Sequence, residues 1–313
     1  MGWTEADLPD LTGRTIVVTG ASAGLGLETT RALARAGAHV VLATRNAAKT
    51  ETASAAVRRA VPGAVLEHVT LDLADLASVR DAVAVLRERH EHLDTIVANA
   101  GLMATPETRT VDGFELQIGV NHLGHAAFVA GLLDRVEAAP DGRIVVVSSE
   151  MHRLGGLDVD DLQWERRRYR RWSAYSASKL ANLQYVYELH RRLDLAGRST
   201  IAVAAPPGYA ATELQGKGPT AQGGVSARVS GAAMALANTL LAQSSAQGAL
   251  PQLYATAAAD VTGGSYWGPQ SLGGARGAPG RASRSAAAKD AAAARRLFDR
   301  TEQLTGADHG LPA

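Results

Sequence analysis

Tyr175 and Lys179 stand four residues apart in a segment with helical periodicity. On a helix that spacing sets both side chains on one face, about 6 Å apart along the axis. A free phenol, with a pKa of about 10, is a poor base at neutral pH, but a nearby ammonium stabilises the phenolate and lowers that value. Lowering it by about three units takes roughly 4 kcal/mol of differential stabilisation. One lysine partly open to water does not supply this alone, so a second, bound cation would have to help. The pair is a candidate for proton transfer, yet the same spacing is common in ordinary amphipathic helices. Its meaning depends on what surrounds it.

A second constellation is Thr19-Gly20-Ala21-Ser22-Ala23-Gly24-Leu25-Gly26, which follows a strand-like run and precedes a helical one. Glycines at such a junction let the chain turn sharply and let a pyrophosphate approach backbone N–H groups at the helix N-terminus. The pattern Gly-x-x-x-Gly-x-Gly differs from the Gly-x-Gly-x-x-Gly of common two-domain dehydrogenases. At the end of the second strand an NAD site usually offers an Asp or Glu to the adenosine ribose. Here the chain reads Ala43-Thr44-Arg45-Asn46, with Lys49 one turn on. Two cations in place of a carboxylate suit a 2′-phosphate, which Arg45 can hold with two hydrogen bonds. NADP(H) is the cofactor expected.

The elements that would position these groups alternate along the first two-thirds of the chain. Short β-branched runs predict strands at 15–19, 39–43, 65–70, 95–98, 143–147 and 200–204. Between them, Ala/Leu/Arg segments predict helices near 25–36, 47–60, 75–90, 111–138 and 174–196. Repeated strand–helix–strand units imply an α/β, Rossmann-type, doubly wound parallel sheet with helices on both faces. Beyond 205 the pattern loosens into a loop-rich region over 206–284. Helical segments are expected near 226–243 and 245–259, a strand at 263–267, a surface loop at 268–284 and a C-terminal helix at 285–304. With no internal repeat and no long linker, 1–313 reads as one domain.

Bulk composition excludes several function classes. The 313 residues carry a net charge of +1 and no cysteine, so there is no global field for nucleic acid, no disulfide and no thiol chemistry. The N-terminus has neither a basic nor an apolar leader region, and no apolar run approaches the roughly 20 residues that span a bilayer. A cytoplasmic chain without membrane attachment is expected. His122 and His125 lie one turn apart but lack a nearby acidic triad, so packing or an interface is expected of them rather than a metal, and no metal site is expected at all. His90 and His92 are expected to be exposed at a helix end.

The order of the phosphate loop, Asn99-Ala100-Gly101, Ser148-Ser149 and Tyr175/Lys179 on successive elements resembles the short-chain dehydrogenase/reductase family over about residues 12–215. The resemblance implies hydride transfer between a carbonyl and an alcohol, with Tyr175 as general acid/base and Lys179 lowering its pKa and holding the nicotinamide ribose. It further implies Ser149 on the substrate oxygen and Asn121 anchoring a water in a proton relay. Asp72, with Leu73, would contact the adenine, and Pro207, Gly208 and Thr212 would pack on the nicotinamide. A catalytically silent NADP-binding protein of the same fold is the alternative, disfavoured because all four catalytic positions are kept. Epimerases of related fold use a different glycine spacing.

Ser149 and Tyr175 are farther apart than in many such reductases. That long interval, with Ser178-Lys179-Leu180-Ala181-Asn182, resembles the branch holding retinol dehydrogenases, WW-domain oxidoreductases and protochlorophyllide reductases. The run Trp164-Glu165-Arg166-Arg167-Arg168-Tyr169-Arg170-Arg171-Trp172 could suggest nucleic-acid binding. It is short within a near-neutral chain, so a solvated rim beside the substrate crevice is expected instead. The expected partner is a small carbonyl or alcohol; a homo-oligomer is common in the family, without a number readable here.

Overall fold

The computed structural model describes residues 2–207 and 244–313. The segment expected to be helical at 226–243 lies outside the described residues, as do Gly208 and Thr212. The β-branched runs form β1 (Thr15–Thr19), β2 (His39–Thr44), β3 (Leu66–Thr70), β4 (Thr95–Ala98), β5 (Arg143–Val147) and β6 (Ile201–Ala205). Among the described residues these six pair in parallel in the order β3-β2-β1-β4-β5-β6. Strand order therefore reverses beside β1, between crossovers running in opposite directions, and a crevice opens there at the strands' C-terminal ends.

Alternation within the strands feeds two cores. Ile16, Val18, Val40, Leu42, Val97, Val145 and Val203 face one side. There they meet α1 (Gly24–Arg35) through Leu33, α2 (Ala47–Ala60) through Val57, and α6 (Ser245–Ala257) through Leu253. Val17, Val41, Ile96, Ile144 and Val146 face the other. They meet α3 (Leu76–Arg89), α4 (Leu116–Glu137), α5 (Arg171–Leu195) and α7 (Ala291–Thr305). Burial on both faces explains why the strands other than the edge strand β3 read as continuous apolar runs, each large side chain contributing about 1.5–3 kcal/mol.

α4 contains a π turn at Gly119–Leu123. Its flanking glycines are set by close approach: a Cβ at Gly124 would come within 2.4 Å of the Leu73 carbonyl oxygen. Contrary to the sequence expectation, this helix is long and apolar enough to cross a membrane (mean hydropathy 1.2), but 83% of that stretch is buried inside the protein. It is apolar because both sheet and neighbouring helices cover it.

Three other expectations are corrected. Residues 268–284 are not a plain loop: β7 (Trp267–Ser271) and β8 (Arg276–Arg281) pair as an antiparallel hairpin. Gly273 and Gly274, with φ of 64° and 89°, make its turn, and its Gly/Pro-rich strands hid the usual β signal. The strand expected at 263–267 shrinks to one bridge from Tyr266 to Ala204. His90 is half-buried, its imidazole 3.0 Å from Glu67, whereas His92 is exposed as expected.

The C-terminal helix starts later than expected, at Ala291, because Asp290 accepts from Ala293 N and caps it. α7 lies along α5: Phe298 stacks on Tyr185 with 5.6 Å between ring centroids, and the Arg192 guanidinium lies 4.2 Å over the Phe298 ring. Arg192 also meets Asp299 at 2.5 Å, and the Tyr185 hydroxyl lies 2.8 Å from His309 Nε2.

Candidate active site

At the end of β1 the backbone enters the left-handed region at Gly20 (φ 67°), and α1 begins at Gly24 (φ 53°). The N-cap, Ala23, has no side chain able to cap, so the first-turn N–H groups remain available to an anion. Gly26 has no room for a side chain: a Cβ there would lie 2.4 Å from Gly20 O and 2.6 Å from Asn99 Nδ2. Thr19 ties this loop to the end of β4, its hydroxyl accepting from Asn99 N and Ala100 N at 2.9 Å each. Asn99 Nδ2 donates back to Thr19 O.

A crevice of about 570 Å³ runs outward from this junction. It is lined by the loop residues Gly20, Ser22, Ala23, Gly24, Leu25 and Gly26, by Arg45, Asn46 and Lys49 beyond β2, and by Asp72 and Leu73 beyond β3. Asn99, Ala100 and Gly101 close it beyond β4. Asn46 accepts from Lys49 N and caps α2, which fixes where Arg45 leaves the sheet. Arg45 is 74% exposed and sits 3.7 Å from Asp72, so its guanidinium is free to turn to a ligand at the mouth. Uncapped N–H groups at one end and cations without a β2 carboxylate at the other are a donor set that fits a phosphorylated dinucleotide.

The acid–base candidates adjoin this crevice through Gly101. A Cβ on Gly101 would meet Asn121 Oδ1 at 3.2 Å and Lys179 Nζ at 3.6 Å. Asn121, on the π turn and fully buried, is held at both ends of its amide: Oδ1 accepts from Leu102 N at 2.7 Å, and Nδ2 donates to Leu102 O and Ser178 Oγ. Lys179 is 4% exposed, donates to Val147 O at 3.0 Å and lies 5.9 Å from the Tyr175 ring centroid. Burial lowers its pKa to about 8. The Ser149 hydroxyl beside the Tyr175 phenol favours the phenolate, but burial outweighs this and pushes the tyrosine pKa up. Pro207, at the end of the described segment, follows β6 on the same sheet edge.

Two buried histidines brace these groups, and neither role was visible in sequence. The Thr19 hydroxyl accepts two N–H groups, so its own proton goes to His125 Nε2 at 2.8 Å. His125 Nδ1–H then donates to Asn121 O at 3.2 Å. Burial lowers the His125 pKa to about 4, which keeps this relay neutral. His152 accepts from Ser285 N at Nε2, so its Nδ1–H donates to Ser149 O at 2.7 Å. His122 bonds Thr301 on α7, in keeping with packing.

The arginine-rich segment is only partly a solvated rim. Trp164 is buried, Arg167 lies 3.9 Å over its ring and 3.2 Å from Asp161, and the Tyr169 hydroxyl donates to Thr105 O. Arg166, Arg168 and Arg170 are exposed. Trp164 and Tyr169 anchor the loop on the body.

The family model of the short chain dehydrogenases matches residues 14–222. Retinol dehydrogenase 13 of Homo sapiens is 42% identical over 215 residues, covering 67% of this chain and 62% of its own length. The WW domain-containing oxidoreductase of Pongo abelii is 41% identical over 201 residues, covering 62% of this chain and 49% of its own length. The matched part thus spans less than two thirds of these curated relatives. A crystal structure of an uncharacterized protein from Mycobacterium Paratuberculosis, 41% identical, has a TM-score of 0.81, covering 99% of this chain and 100% of that one. A short chain dehydrogenase from Shigella flexneri 2A, complexed with NADP and 20% identical, has a TM-score of 0.63 over 83% of this chain and 98% of its own.

Proposed function

Because this chain belongs to the short-chain dehydrogenase family, in the branch of the retinol dehydrogenases and the WW domain-containing oxidoreductase, we propose that it interconverts a small carbonyl compound and its alcohol using NADP(H). The observation that carries this reading is the meeting of Ser149, Tyr175 and Lys179 beside a crevice whose far end holds Arg45 and Lys49. A bound nicotinamide supplies or accepts the hydride.

Residues of this chain supply proton, position and field. Burial keeps Tyr175 protonated at neutral pH, the form that donates to a carbonyl oxygen during reduction. Ser149, beside Tyr175, gives its hydroxyl to that oxygen and orients it. Lys179, with a pKa of about 8, is mostly cationic at pH 7, and its ammonium stabilises the phenolate as the phenolic proton leaves. Asn121 anchors the route by which the proton is replaced. Arg45 and Lys49 take the 2′-phosphate, while Asp72 and Leu73 border the adenine. Pro207, Gly208 and Thr212 belong to the nicotinamide side, and residues 1–313 act as one domain.

Tyr175→Phe is expected to lower NADPH oxidation with a good carbonyl substrate by about a thousandfold, leaving NADPH affinity within a few-fold. Turnover within tenfold of the parent would refute the mechanism. For the cofactor, Arg45→Ala should weaken NADPH about tenfold or more while barely changing NADH, measured by fluorescence titration. Equal losses for both would remove the NADP assignment.

A further inference from the structure

We propose that His39, Glu67 and His90 form a binding site for one zinc-like divalent cation, at the opposite end of the strands from the cofactor crevice. Three elements, β2, β3 and α3, bring them together. His39 opens β2, Glu67 lies in the adjacent β3, and His90 is the C-cap residue of α3, which leads from β3 toward β4. None is near another in sequence, so only the crossover assembles them.

The geometry suits a small tetrahedral ion. Glu67 Oε2 lies 3.4 Å from His39 Nε2 and 3.0 Å from His90 Nε2, and one ligand atom from each residue falls within 4.8 Å of the others. Zinc bonds to N and O of about 2.0–2.2 Å put neighbouring ligand atoms roughly 3.3 Å apart. Two edges of that tetrahedron are therefore nearly in place. Arg89 Nη1 takes the other carboxylate oxygen, Oε1, at 2.8 Å, which orients Oε2 toward both rings. Its positive charge weakens the attraction for a cation, but the contact lies on the far oxygen.

Side-chain exposures of 28% for His39, 18% for Glu67 and 11% for His90 leave the trio reachable yet held. Two imidazoles and one carboxylate suit zinc or its relatives, with water in the fourth position. They offer too few oxygens for calcium or magnesium. The site lies at the N-terminal ends of strands that carry Arg45 and Asp72 near their other ends, so the cation would brace the sheet edge and touch no reacting atom.

The test uses full-length protein stripped with a chelator, then titrated with Zn²⁺ in competition with a chromophoric ligand. One equivalent should bind at micromolar Kd or tighter, saturating Zn²⁺ should raise Tm by about 5 °C, and Co²⁺ should give the intense visible bands of a four-coordinate ion. His90→Gln and Glu67→Gln should each weaken Zn²⁺ by about a hundredfold or more. Their far-UV circular dichroism and their Tm in chelator serve to show that they fold. If the parent binds Zn²⁺ no better than these folded variants, or Co²⁺ stays six-coordinate, the trio is only a hydrogen-bonded ion cluster and the proposal fails.

Discussion

Lys179 shows how function and stability pull against each other in a single side chain. Folding strips its ammonium of water and returns one hydrogen bond, to Val147 O, and burial lowers its pKa from 10.5 to about 8. Between those two values the folded chain binds fewer protons at this site than the unfolded chain, so this residue makes stability rise with pH across that window. Below pH 8 the same difference is a standing cost of about 3 kcal/mol. Lys179→Met, which keeps the stem and discards the charge, should therefore raise Tm at pH 7 by several degrees while abolishing turnover. A fall in Tm of similar size would show that the ammonium is needed for folding. Near Tyr175, burial and the Ser149 hydroxyl act in opposite directions, and burial wins.

At the scale of elements, much was readable because local pattern and tertiary demand agree. The parallel strands other than β3 are buried on both faces and so write themselves as β-branched runs, within a residue or so of their ends. Gly20, Gly24 and Gly26 mark a turn that no side chain could make, and their placement after β1 points to the crevice before any coordinates are drawn. What could not be read was long-range pairing. His125 meets Thr19 across 106 positions, and Ser285 meets His152 across 133. Packing could be expected of His125, but nothing local names the partner of either histidine. The β7–β8 hairpin failed for the opposite reason: Gly268, Pro269, Gly277 and Pro279 carry loop signals, and pairing overrides them. α4 was more apolar than the sequence expectation allowed, since a helix covered on nearly all sides by sheet and helices carries an apolar content that approaches that of a bilayer span.

Over the whole molecule, the sheet's second core is finished by a segment distant in the chain. Phe298 is fully buried between Tyr185 and Arg192, and Thr301 gives His122 its hydrogen-bond partner. Phe298→Ala should cost about 3–5 kcal/mol and lower Tm by about 10 °C, followed by circular dichroism; a shift under 2 °C would mean that α7 is dispensable to the core. The docking of α7 also has a timetable. His309 reaches Tyr185 from 124 positions downstream. At about 5–20 residues per second of synthesis, that partner arrives on the order of ten seconds after α5 has been made. During that interval Arg192 and the Tyr185 ring present an open, sticky flank, well after β1 to β5 have the means to pair. On the ribosome, this flank is transiently exposed surface of the kind a holding chaperone covers until α7 is made.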